Sequence, residues 1–236
     1  MNTPREGGAP CLVVIDGPAG AGKTTVARRV AAHFGMALLD TGAIYRALAL
    51  HAKRHAVGWG DEAGLAVLAR EMPLRFTAGP VAAPQQVWLA DEDVTDAIRA
   101  STISEGASQV SVHREVRREL LELQRRLGRQ SGRGCVAEGR DMGTVVFPGA
   151  TYKFFLTADG RTRAQRRHLE MVGVDPQRAP TLADVAADML KRDERDLRRT
   201  AAPLAKASDA EVIDSSAWPE DEVVARIVRV IEKHPR

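Results

Sequence analysis

The residues best suited to chemistry stand near the start of the chain. Gly17-Pro18-Ala19-Gly20-Ala21-Gly22-Lys23-Thr24-Thr25 fits the pattern Gly-x-x-x-x-Gly-Lys-Thr in full. Glycines let the backbone turn sharply, so several N–H groups can point at one anion. Lys23 brings an ammonium to the outer phosphates, and the Thr24 hydroxyl can reach Mg²⁺, directly or through water. An apolar run, Cys11-Leu12-Val13-Val14-Ile15-Asp16, precedes the loop, and 26–34 follows it with a helical pattern. A helix N-terminus adds partial positive charge where the phosphates would sit. A flexible connector that happened to contain Lys-Thr would lack the flanking strand and helix. Residues 17–25 therefore read as a nucleoside triphosphate site, with Lys23 its catalytic cation.

A second group of candidates pairs arginines with acids near strand ends, where ligands of open α/β sheets bind. Glu138-Gly139-Arg140-Asp141-Met142-Gly143 follows an apolar strand pattern, which places Arg140 and Asp141 beside the phosphate loop. Asp40-Thr41-Gly42-Ala43-Ile44-Tyr45-Arg46 follows another, with Thr41 and Tyr45 four apart on one helix face and Arg46 beside them. In Arg192-Asp193-Glu194-Arg195-Asp196-Leu197-Arg198-Arg199, the side chains of Arg192, Arg195, Asp196 and Arg199 fall within an arc of about 100°. Charge runs are usually solvated faces, but clustered guanidiniums suit phosphoryl groups. Arg161-Thr162-Arg163-Ala164-Gln165-Arg166-Arg167 opens a helix with cations, against the macrodipole. A lid closing over transferring phosphates would explain that, with Arg163 and Arg166 as the candidates; a basic surface helix would look the same.

The elements that must position these groups alternate. Strands are expected at 11–16, 37–40, 135–137, 152–156 and 212–213, and helices at 22–34, 41–55, 61–71, 112–127, 161–172, 182–199 and 220–233. Thr41 is expected to cap the second helix. Short half-buried strands at 74–76 and 86–89, joined by the turn-rich stretch 78–84, mark a small α+β insertion over about 72–108. Strand–helix alternation predicts a three-layer α/β/α fold with a mostly parallel sheet.

With 236 residues, 44% of them hydrophobic, the chain can bury a real core. A net charge of +3 needs no nucleic acid to explain it, and 4% aromatic residues leave no stacking stripe for bases. Cys11 and Cys135 sit in apolar runs as small hydrophobes of a reduced compartment. His51 and His55 are four apart with no third ligand near in sequence, so they read as an ordinary helix face. The polar N-terminus and the lack of an apolar run of about 20 residues give the expectation of a cytoplasmic protein without membrane contact, and a monomer is expected.

The stretches IDGPAGAGKTT, LLDTGAIYRALAL, EDVTDAIR, ASQVS, Val116-Arg117, EGRDMGTVVFPGA and KRDERDLRR followed by APL occur in the order found in bacterial cytidylate kinases, which the chain resembles from about residue 11 to 215. The resemblance implies a single phosphate-loop (P-loop) kinase fold over 10–236. It has a five-stranded parallel core (about 10–71 and 109–236), a monophosphate-binding insertion (72–108) and a helical lid (about 159–180). It implies phosphoryl transfer from ATP to CMP or dCMP with Mg²⁺. Arg46, Arg140 and Arg199 would hold the CMP phosphate; Ser108, Arg117 and Asp141 would read cytosine; Arg192 and Asp196 would contact the sugar. Asp40, Thr41 and Tyr45 complete the acceptor set. The chain departs from the family pattern with Thr24 in place of glycine, Thr41 in place of serine and Glu138 in place of aspartate. A kinase for another monophosphate, or a non-kinase nucleotide-dependent switch, would share the phosphate loop.

Overall fold

The computed structural model describes residues 11–77, 85–130 and 133–233; the turn-rich stretch 78–84 lies outside them. Five strands form one parallel sheet: β1 (Leu12–Asp16), β2 (Ala37–Asp40), β6 (Cys135–Gly139), β7 (Tyr152–Thr157) and β8 (Glu211–Asp214), in the order β2-β6-β1-β7-β8. Strand β1 is central, and its alternation divides the core. Val13 and Ile15 face α1 (Lys23–Phe34) and α8 (Glu220–Lys233), whereas Val14 faces α2 (Thr41–Arg54) and α5 (Arg114–Arg129). All three are fully buried, as both faces of a parallel sheet require.

A second sheet, β3 (Leu74–Thr77), β4 (Gln86–Leu89) and β5 (Glu92–Asp93), is antiparallel. It follows α3 (Glu62–Glu71) and joins the α2 side of the core through Val87, Leu89, Val94 and Ile98. Helix α4 (Ser101–Val110) then lies on α2, and Gly106 makes the fit. A β-carbon there would meet the Trp59 ring at 2.4 Å, and Trp59 donates from Nε1 to the Ala49 carbonyl. Helices α6 (Gly160–Val174) and α7 (Leu182–Arg198) pack on the phosphate loop through Ala19, Ala164, Val185 and Met189.

Three local expectations change. Asp40, not Thr41, caps α2: its Oδ1 accepts from the Ala43 N–H at 2.9 Å, and the Thr41 hydroxyl crosses to the Glu138 carbonyl at 2.7 Å. Helix α5 begins at Arg114, so Val112 lies in the turn before it. The strand expected at 135–137 continues as β6 through Gly139, and Met142–Val146 then winds into a π-helical turn, a form frequent at functional sites. Cys135 is buried, with its thiol pushed up to about 12 by desolvation, which leaves it an inert hydrophobe.

Candidate active site

The strand order sets the site. Strands β2, β6 and β1 are neighbours and end together, with Asp40 opposite Glu138 and Asp16 opposite Gly139. The phosphate loop leaves β1 at Gly17, whose φ is +149° and whose added β-carbon would stand 1.9 Å from the Leu156 carbonyl oxygen. Gly20 and Gly22 are also left-handed, and Gly22 starts α1, which has no side-chain cap. The first N–H groups of α1 are therefore left for a ligand.

A cavity of about 310 Å³ opens above these strand ends. It brings together Gly20, Gly22, Lys23 and Thr24 of the loop with Thr41, Tyr45, Arg46, Ser108, Arg117, Arg140, Asp141, Arg192, Asp196 and Arg199. Ala19, Thr25 and Asp40 also line it; Gly17, Pro18 and Ala21 lie behind, shaping the loop. Arg163 and Arg166 do not reach the cavity. Arg163 binds Asp193 at 2.6 Å and the Ala19 and Ala158 carbonyls, clamping α6 to α7 and to the phosphate loop. Arg166 binds the hydroxyl and carbonyl of Ser215. From the same cationic cluster Arg167 lines the cavity instead. The opposed macrodipole is offset by Asp159, which caps α6 through the Thr162 N–H at 2.9 Å.

The two ends of the cavity differ in charge. At the loop end Lys23 is buried and donates to the Pro18 carbonyl at 2.8 Å. Desolvation, then the nearby Arg140, lower its pKa to about 7. Arg192 is lowered to about 10 for the same two reasons, and its Nε is buried without a hydrogen-bond partner among the described residues. Both cations lack sufficient anion, a deficit that phosphate would fill. Thr24 donates to Glu138 Oε1 at 2.5 Å; burial, then the neighbouring Asp40, raise the Glu138 pKa.

At the other end the charges are already paired. Arg117 binds Asp141 directly and lies over the Tyr45 ring. Arg199 stands 3.5 Å from Asp141 and 3.7 Å from Asp196, and Arg140 binds Asp196 at 2.9 Å. Burial opposes ionisation of Asp196, yet Arg140 and Arg199 hold its pKa below the usual carboxylate range. Asp40 likewise stays low despite burial, through Arg46 at 2.7 Å. Arg195 donates to the Ser108 hydroxyl at 2.7 Å and to Glu105 at 2.9 Å, bridging α7 to α4.

A phosphate cradle at the end of a central strand, a parallel sheet with helices on both faces, and a side basin of paired arginines and carboxylates define a phosphate-loop α/β protein. The family description Cytidylate kinase matches residues 13–233. The chain is 43% identical over 228 residues to the cytidylate kinase of Corynebacterium diphtheriae, covering 97% of this chain and 96% of that one. It is 46% identical over 224 residues to that of Azotobacter vinelandii, covering 94% and 95%. This chain belongs to the cytidylate kinase family. Its fold is also similar to that of a protein from Eubacterium ventriosum described as uncharacterized, at a TM-score of 0.52 and 12% identity over 95% of this chain and 99% of that one. Among the described residues no helix is long and apolar enough to cross a membrane.

Proposed function

We propose that this chain transfers the γ-phosphoryl group of ATP to CMP and dCMP, giving CDP or dCDP and ADP. The observation that carries this reading is one cavity with the under-neutralised, buried Lys23 at its loop end and an Asp141–Arg117 pair at its far end. The first suits a triphosphate. The second suits cytosine, whose N4 amino group donates while N3 and O2 accept. Asp141 accepts from N4, Arg117 donates to N3 and O2, and Ser108 adds a hydroxyl. Uracil reverses the pattern at N3 and at the 4-position, which would leave buried groups unpaired. Arg46, Arg140 and Arg199 hold the acceptor phosphate, and Arg192 and Asp196 contact the sugar.

Phosphoryl transfer demands alignment and charge neutralisation more than covalent chemistry. A phosphate oxygen of CMP attacks the γ-phosphorus in line, and the bond to the bridging oxygen of ADP breaks. The attacking phosphate is largely ionised near neutral pH, so no protein base is needed. Lys23 and the loop N–H groups follow the charge as it spreads. Hard oxygen donors at the start of α1 fit magnesium: the Thr24 hydroxyl, with Glu138 acting through water, would hold the ion. When bound, Mg²⁺ neutralises the β- and γ-phosphates. The lid at about 159–180 closes over the site and excludes water. Closure that carries Arg163 and Arg166 to the phosphates must first exchange their present bonds to Asp193 and Ser215. The reading includes a cytoplasmic monomer.

A coupled ADP-release assay with Mg-ATP and, separately, CMP, dCMP, UMP, AMP and GMP tests it. Fast turnover with CMP and dCMP alone is expected. Equal turnover with UMP would remove the cytosine assignment, and acceptor-independent behaviour would remove the kinase assignment.

A further inference from the structure

Asp16 ends β1 and immediately precedes the phosphate loop, but it does not line the cavity. It is 3% exposed, and it accepts two backbone hydrogen bonds, one on each oxygen. Met142 N–H reaches Oδ1 at 2.9 Å and Gly143 N–H reaches Oδ2 at 2.8 Å. Those two amides open the π-helical turn that directly follows Arg140 and Asp141. The backbone at Asp141 is irregular, with φ −142° and ψ 24°, and Asp141's own side chain does not cap the turn. Across the sheet Asp16 pairs with Gly139 through β1–β6 register, so Arg140 and Asp141 sit between two attachments to the same residue.

We infer that Asp16 is a positioning residue for acceptor recognition, fixing the turn that aims Arg140 at the acceptor phosphate and Asp141 at the base while itself touching neither substrate. This rests on the cytosine reading given above. An ionised carboxylate offers a full acceptor to each amide. An asparagine amide must turn its NH2 toward one of them, leaving a buried N–H unpaired, and a protonated carboxyl offers one of them only the weaker acceptor of its hydroxyl oxygen. The balance is close. Burial raises the Asp16 pKa to about 6, the two amide bonds lower it, the Asp141 charge raises it and the Lys23 charge lowers it. As pH falls through about 6, Asp16 takes up a proton and one of the turn's anchors weakens.

The test compares Asp16→Asn with the parent chain and with Asp141→Asn, using kcat/KM for CMP and UMP from pH 5.5 to 8. The ratio of the two cancels the titration of the shared 5′-phosphate. At pH 7.5 the CMP/UMP ratio of Asp16→Asn is expected to fall roughly tenfold, mainly through a higher KM for CMP. The ATP Kd, measured without acceptor, stays within about twofold. The parent ratio declines as pH drops through about 6, and the Asp16→Asn ratio is flat across that range. An unchanged ratio in Asp16→Asn alongside a collapsed ratio in Asp141→Asn overturns this inference alone. An unchanged ratio in both overturns the cytosine reading and this inference with it. Equal losses for ATP and CMP would assign Asp16 to the phosphate loop instead. If Asp16→Asn does not fold, the parent pH profile decides, and a ratio constant from pH 8 to 5.5 overturns the inference.

Discussion

The two ends of the cavity hold charge by opposite means. The loop end is built from nine consecutive residues whose backbone does the shaping, and it is left with excess positive charge. The acceptor end is assembled from side chains of α2, α4, α5, the turn after β6 and α7, and its guanidiniums already face carboxylates. A ligand at the first end fills a deficit. A ligand at the second must displace or share existing pairs. Changes at the loop end should therefore act on rate or on backbone strain, and changes at the acceptor end should couple recognition to stability.

Lys23→Ala gives the largest effect, a fall in kcat on the order of 10³-fold at saturating substrates. The melting temperature should not fall, because a buried, under-neutralised cation is removed. Near-normal turnover would break the contrast at once. Gly17→Ala tests the backbone side. With the β-carbon directed at the Leu156 carbonyl and φ at +149°, it should lose about 3 kcal/mol or more by chemical denaturation. Asp141→Ala should lose about 3 kcal/mol as well, since Arg117 and Arg199 are left buried with one carboxylate fewer. It should also reduce the CMP/UMP kcat/KM ratio at least about tenfold. A stable variant with unchanged selectivity would show that the pair is only structural.

Arg192→Gln sharpens the comparison from the boundary between the two ends. Because the buried Nε of this arginine has no partner among the described residues, its loss should raise KM for CMP about tenfold while leaving unliganded stability equal or slightly higher. The smallest effect is a slope. Lys23 loses its proton near pH 7 when folded and near 10.5 when unfolded. Between those values the unfolded chain binds more protons, so nucleotide-free stability should rise with pH. Urea denaturation at pH 7, 8 and 9 should show this rise in the parent chain and not in Lys23→Met.

The same contrast explains what could be read from sequence. The loop is contiguous and flanked by an apolar strand and a helix, so residues 17–25 stand out directly. The alternation of strands and helices likewise gives the five-stranded parallel sheet. Arg140, Asp141, Tyr45, Arg46, Arg192 and Asp196 are suggested by charge at strand ends and along one helix face. Ser108 and Arg117 carry no local signal; they lie on α4 and α5, and only resemblance to the family singles them out. Arg167 stands out only as one member of the 161–167 cationic run, and Asp16 only as the end of an apolar strand. Nothing in an aspartate after Val-Val-Ile says which amides 126 and 127 residues away it will accept from. The π turn and the Asp40 cap are hidden for a related reason. Both depend on neighbours brought by β6, such as the carbonyl that draws off the Thr41 hydroxyl.

The alternation of β1 has a consequence for miswiring. Val14 and Asp16 point to one side of the sheet and Val13 and Ile15 to the other. A slip of one residue in this strand would exchange the layers against which Val13, Val14 and Ile15 pack. The same slip would turn the Asp16 carboxylate away from its two amides and carry the glycine loop out of line with α1. Core and site thus share a single alignment variable. A chain that pairs β1 one residue out therefore loses its site geometry together with its native core contacts.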